Sequence, residues 1–101
     1  MGKDALKSNS GGYYNTAMGW QAMYANNSGS YNCAVGASAL YQNTTGTYNV
    51  GIGFEPLTSN TSGSYNVGIG YRSLYYNTTG TYNSCNGIYS MYANAGGIMN
   101  T

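Results

Sequence analysis

Residues 48–64 read YNVGIGFEPLTSNTSGS and residues 65–81 read YNVGIGYRSLYYNTTGT, two rows of 17 that abut without a gap and agree at ten positions. In the same frame, residues 31–47 (YNCAVGASALYQNTTGT), 14–30 (YNTAMGWQAMYANNSGS) and 82–98 (YNSCNGIYSMYANAGGI) extend the array in both directions with no insertion or deletion. Residues 1–13 fit the last thirteen positions of an earlier row, and residues 99–101 open another. The whole chain is therefore read as one tandem-repeat segment, 1–101: a partial coil 1–13, coils 14–30, 31–47, 48–64, 65–81 and 82–98, and the start of the next. It is expected to be an excerpt of a longer array. A fixed period of this length decides how every other residue is read.

Aligning the rows as columns 1 to 17 shows what the unit retains. Column 2 is Asn in every row (Asn15, Asn32, Asn49, Asn66, Asn83, Asn100) and column 13 is Asn from Asn9 to Asn94. Column 6 is Gly (Gly19, Gly36, Gly53, Gly70, Gly87), and so is column 16 (Gly29, Gly46, Gly63, Gly80). Column 10 is always Leu or Met, and column 1 is Tyr in five rows. Glycine takes positive φ freely and asparagine tolerates it best among the rest, so these columns predict two corners per unit. Between them the run Tyr-Asn-Val-Gly-Ile-Gly alternates, predicting a strand with the apolar columns 3 and 5 on its buried face. Columns 9 to 11 predict a second short strand that carries the Leu/Met column inward. Two strands and two corners make one coil of a parallel β-solenoid, all-β and two-sided, advancing about 4.8 Å per coil. The column 2 asparagines are expected to form a ladder. Sixteen glycines and abundant Asn, Ser and Thr exclude helical repeats.

Composition narrows the function. Five per cent of the residues are charged, the net charge is +1 and histidine is absent, which argues against a nucleic-acid partner. No apolar run approaches the roughly 20 residues of a membrane span. Fifteen per cent of the chain is aromatic, unlike a disordered polar segment. Asp4 and Glu55 share column 8 but lie three coils apart, too far for paired acid–base work. No metal site or cofactor is expected, and the chain is not read as an enzyme. Cys33 in column 3 and Cys85 in column 4 fall about 14 Å apart along the axis, so they are expected to be unpaired, buried small residues, with an interchain bridge from Cys85 as the alternative.

Three surface patterns remain. Asn26, Asn43, Asn60 and Asn77 each begin an Asn-x-Ser/Thr sequon at one corner and are candidates for N-glycosylation. The Tyr columns, with Trp20, Phe54 and Tyr71 in column 7, predict aromatic stacks suited to packing and to carbohydrate or protein surfaces. The corner runs Ser28–Ser30, Thr45–Thr47, Ser62–Ser64 and Thr79–Thr81 place two hydroxyls per coil, as ice-binding solenoids do, although a glycine separates them.

The rows carrying Asn49-Val50-Gly51-Ile52-Gly53 and Asn66-Val67-Gly68-Ile69-Gly70 resemble the head repeats of trimeric autotransporter adhesins, and are similar to tandem repeats of phage and large-virus tail-fibre proteins. The resemblance implies a left-handed parallel β-roll, side-by-side association of three chains, and close approach at the small column represented by Ala34, Gly51 and Gly68, with Cys85 in the same column. The unit here is longer than the family's, and Asn86 stands where its Ile would be. The resulting expectation is a structural fibre or adhesin-stalk element, extracellular or on a cell or virion surface. Its expected partners are copies of itself, laterally or end to end, and a surface carbohydrate or protein receptor. A self-assembling filament without a receptor and an ice-binding solenoid are the alternatives.

Overall fold

The computed structural model describes residues 2–98; the expected further coil opening at Met99, Asn100 and Thr101 lies outside them. Among the described residues, five strands, β1 Thr16–Met18, β2 Cys33–Val35, β3 Val50–Ile52, β4 Val67–Ile69 and β5 Ser84–Asn86, form one parallel sheet in sequence order. Every strand pairs with the residue 17 positions on: Ala17 with Ala34, Ala34 with Gly51, Gly51 with Gly68, Gly68 with Cys85. The fold is an all-β parallel β-solenoid with one coil per row of the sequence, and the described residues contain no helix.

The strand faces the opposite way from the sequence expectation. Column 4 points inward: Ala17 and Ala34 are fully enclosed, Gly51 and Gly68 are buried, and Cys85 is 7% exposed. Columns 3 and 5 point outward, leaving Ile52 and Met18 exposed and Val50 and Val67 half-buried. The reason is the thinness of the coil. Column 10 fills the interior from the opposite wall, with Met23, Leu40, Leu57 and Leu74 all at 0% exposure. A Cβ added at Gly51 would meet Leu40 Cγ at 3.5 Å and Pro56 Cγ at 3.4 Å, and one at Gly68 would meet Ser73 Oγ at 3.0 Å and Leu57 Cγ at 3.5 Å. Space for a methyl or a thiol remains at this wall, so valine and isoleucine are placed outside.

The predicted second strand is absent. Columns 7 to 12 run as successive turns, closed by Ala22 N–H to Gly19 C=O at 3.3 Å, Tyr24 N–H to Gln21 C=O at 3.2 Å and Asn26 N–H to Met23 C=O at 3.2 Å. Columns 8 and 10 are left-handed: Gln21 has φ 56° and Met23 φ 52°, and the same holds at Ser38 and Leu40 and in the later coils. Column 1 is left-handed too, with Tyr31 at φ 60°. Such residues each cost about 1–2 kcal/mol. The cost is offset by burial of the Leu/Met side chain, worth about 2 kcal/mol, and by hydrogen bonds that the bent backbone makes to the next coil. Leu40 N–H donates to Pro56 C=O at 3.0 Å and Gln42 N–H to Thr58 C=O at 3.0 Å, while Thr44, Thr45 and Gly46 N–H share the Thr61 carbonyl.

The two glycine columns serve different ends. Column 6 has φ between 122° and 128° at Gly19, Gly36, Gly53, Gly70 and Gly87, a region that only glycine occupies without strain. Gly29, Gly46, Gly63 and Gly80 in column 16 have no positive φ; they are glycine because a Cβ would strike a backbone carbonyl of the next coil and an asparagine side chain.

At Gly36 a Cβ would land on the Gly53 carbonyl oxygen, whereas at Gly87 it meets nothing within 4 Å. Gly36→Val is therefore expected to lose about 3 kcal/mol or more through strain plus clash, and Gly87→Val about 1–3 kcal/mol through φ alone. Urea denaturation of the two variants checks the order; equal losses would remove the close-approach argument.

Candidate functional site

The interior of each coil is organised around one carbonyl. Gly46 C=O accepts from Asn43 Nδ2 at 3.0 Å and from Asn32 Nδ2 at 2.9 Å, so columns 13 and 2 of one coil converge on it. The same pair of bonds recurs at Gly29, Gly63 and Gly80. The second Nδ2 hydrogen of column 13 donates axially: Asn43 to Asn26 Oδ1 at 2.8 Å, Asn60 to Asn43 at 2.8 Å, Asn77 to Asn60 at 2.9 Å. In column 2 the side-chain oxygen instead accepts a backbone N–H of the next coil, Asn49 N–H to Asn32 Oδ1 at 2.9 Å and Asn66 N–H to Asn49 Oδ1 at 3.0 Å. The side-chain amide ladder thus runs mainly through column 13, while column 2 (Asn15, Asn32, Asn49, Asn66, Asn83) ties side chain to backbone. No buried side-chain nitrogen or oxygen among the described residues lacks a partner.

This geometry corrects the glycosylation expectation. Asn26, Asn43, Asn60 and Asn77 are 0% exposed, and both hydrogens of each amide are engaged as described. A glycan needs that nitrogen at the surface, whereas here the sequon arises because the turn needs asparagine in column 13 and an exposed Ser or Thr follows in column 15.

The expected oligomer face is corrected as well. Ala34, Gly51, Gly68 and Cys85 line the interior, for the packing reason given above, and offer nothing to a neighbouring chain. Both cysteines are free. Cys85 donates to Ser90 C=O at 3.4 Å from inside the coil, whereas Cys33 is half-buried on the outer strand face and not in the core.

The titratable groups are few and separate. Asp4 pairs with Lys3 at 3.3 Å and Lys7 at 3.5 Å, and the Lys3 hydrogen bond holds its carboxyl below the usual range. Glu55 accepts from Arg72 Nε at 2.8 Å, which raises the guanidinium further above its already high ordinary pKa. Arg72 lies in column 8, one coil above Glu55, so the spacing of 17 residues in the sequence was enough to find this pair. Its guanidinium carbon sits 5.3 Å from the Tyr71 ring and 5.1 Å from Tyr75. A hollow of about 380 Å³ at the end of the last described coil is lined by Ser84, Cys85, Asn86, Ser90 and Met91. No group of three His, Cys, Asp or Glu that could hold a metal comes together among the described residues.

Part of the outer surface is aromatic and aliphatic. Column 1 forms a continuous stack, Tyr31–Tyr48 at 4.7 Å and 1°, Tyr48–Tyr65 at 4.9 Å and 6°, Tyr65–Tyr82 at 4.9 Å and 6°. Tyr24–Tyr41, Tyr75–Tyr92 and Phe54–Tyr71 stack likewise. Ring faces in these columns are turned to one another, so a ligand meets edges and hydroxyls. Tyr76 packs edge-to-face on Tyr92 at 5.1 Å, and its hydroxyl holds the Tyr92 phenol above the ordinary tyrosine pKa. The hydroxyl file suggested for ice does not form a two-column face: Ser28, Thr45, Ser62 and Thr79 are exposed, but column 17 is drawn in, with Ser64 Oγ accepting Thr47 N–H at 3.0 Å and Ser30 Oγ accepting Tyr13 N–H at 3.1 Å.

Compared with known protein families, characterised proteins and solved structures, the chain matches none. The likeness to adhesin and tail-fibre repeats therefore rests on the motif residues alone.

Asn60→Ala removes the bonds to Gly63 C=O and Asn43 Oδ1 and takes from the buried Asn77 Nδ2 its acceptor, Asn60 Oδ1, so a loss of about 2–4 kcal/mol is expected in chemical denaturation; a loss under about 0.5 kcal/mol would show that the ladder is dispensable. Expression of the chain in a glycosylating secretory host is expected to yield folded protein whose mass is unchanged by peptide-N-glycosidase. Occupied sequons in the folded fraction would contradict the buried amides.

Proposed function

We propose that the chain is a rigid element of a structural fibre or adhesin stalk, extracellular or on a virion surface, acting as a spacer that also contributes attachment surface. One observation carries this reading. The same amide clamp recurs in the four coils from residue 14 to residue 81, and the axial bonds join partners 17 residues apart, so coils add along one axis without a change of contacts, as a spacer of adjustable length requires. Low charge and exposed tyrosine favour adhesion to protein or carbohydrate surfaces, through ring edges and hydroxyls. The motif resemblance supports the same class. A filament without a receptor differs only in the last of these features, and binding of the purified chain to immobilised cell-surface glycans and proteins separates the two.

Immunoelectron microscopy of the source material is the direct test of the spacer reading. Gold label along thin fibres, or on spikes borne by particles, is the expected result; label confined to the cell interior would overturn it.

A further inference from the structure

The outer face of the sheet is apolar where a solvated strand would be polar. Val50 and Val67 in column 3 and Ile52 and Ile69 in column 5 form its centre, with Tyr48 and Tyr65 flanking on the column 1 side and Phe54 and Tyr71 on the column 7 side. The end strands are more polar, with Thr16 at one end and Ser84 and Asn86 at the other. An apolar centre inside a polar rim is the layout of an interface. Columns 1, 3, 5 and 7 contain no charged residue in the five coils from residue 14 to residue 98, so the face does not repel a copy of itself.

We propose that this strand face is covered by the same face of a second copy of the chain, the two sheets packing as an isologous pair. The axial period argues for a copy over any other occupant. Side chains on this face form ridges one coil apart, as the 4.7–4.9 Å ring spacings of column 1 record. Ridges of that period interdigitate along their whole height only with ridges of equal period, which is why identical strands mate in dry sheet-to-sheet interfaces. Two copies are argued over three because a closed ring of three uses two different complementary patches per chain. The other outward sides of the described coils differ: columns 14 to 17 carry Ser, Thr, Asn and Gly alone in the four coils from residue 14 to residue 81, and the column 11 tyrosines are interrupted by Thr58 and flanked by Gln21, Glu55 and Arg72 in column 8 and by Gln42 and Ser59 in column 12. At about 33 Å² per residue from the sheet spacings, four columns over five coils supply about 650 Å² per copy. The pair would bury about 1,300 Å², enough for a specific complex. This pairing depends on the fold and not on the spacer reading, which localisation tests separately.

Sedimentation equilibrium of the 101-residue protein at tens of micromolar is expected to give twice the 10.7 kDa chain mass. Ile52→Lys with Ile69→Lys, both on exposed or half-exposed sites, is expected to give a monomer with an unchanged circular dichroism spectrum. Thr45→Lys with Thr79→Lys, on exposed hydroxyls away from the face, is expected to leave the dimer intact. Should the lysine pair on the strand face fail to fold, Val50→Thr with Val67→Thr keeps shape and strand preference and is expected to weaken the dimer at least tenfold. A wild-type monomer, a trimer, or a dimer indifferent to the strand-face substitutions would each overturn the proposal.

Discussion

The carbonyl of the column 16 glycine takes two amide hydrogens, one from each asparagine column, and the coil is built around that meeting. Gly46 receives Asn32 and Asn43; Gly63 receives Asn49 and Asn60. A side chain at Gly46 or Gly63 would collide with the next coil's backbone and with the clamping asparagine, so the glycine, both asparagines and the axial spacing determine one another. A buried amide of this kind is costly unless every hydrogen and lone pair is used. Here the unused hydrogen of column 13 finds the next asparagine along the axis, which couples each coil's internal closure to the stacking of its neighbours.

Backbone strain is accepted elsewhere to make that closure possible. Among the described residues, seventeen other than glycine have φ between 50° and 62°, always in columns 1, 8 and 10. The left-handed residues in columns 8 and 10 fold the chain into consecutive turns, which swing Leu40, Leu57 and Leu74 into the interior and aim alternate N–H groups at the next coil. The left-handed column 1 tyrosine precedes the strand and leaves its ring on the outside, where the stack of parallel rings adds about 0.5–1.5 kcal/mol per contact beyond area burial.

These features differ in how far the residues alone reveal them. The period, the 17-residue register and the inward Leu/Met column are visible because repetition within one chain exposes what the coil retains. Column 6 is legible as a corner because glycine's conformational freedom has few other uses. The phase of the strand is not legible, since an alternation of Val-Gly-Ile marks two faces without saying which is enclosed. Hydrophobicity argued for columns 3 and 5, but the width left by the Leu/Met column admits nothing larger than the Ala, Gly and Cys of column 4. The left-handed tyrosines and leucines give no signal, as neither residue favours that region. The sequons misled for a related reason: Asn43-Thr44-Thr45 satisfies a surface motif while serving an interior bond. The pairing of Glu55 with Arg72 was there to be read, one period apart.

The coil inverts the usual distribution of polarity. Its interior holds two files of amides beside a single file of Leu and Met, while valine, isoleucine and most of the aromatic rings lie outside. Within a coil, the clamp and the turns supply direction that hydrocarbon packing does not, because amide bonds are satisfied in one geometry only. Hydrophobic surface displaced from the interior has not lost its driving force; it remains in contact with water on the strand face, worth about 25 cal/mol for each Å² that is later covered. A solenoid built this way specifies its axis by hydrogen bonds and reserves its apolar area for lateral contact. The division follows from the narrow coil: with room for one large side chain per turn, any further apolar residue of the repeat must face outward.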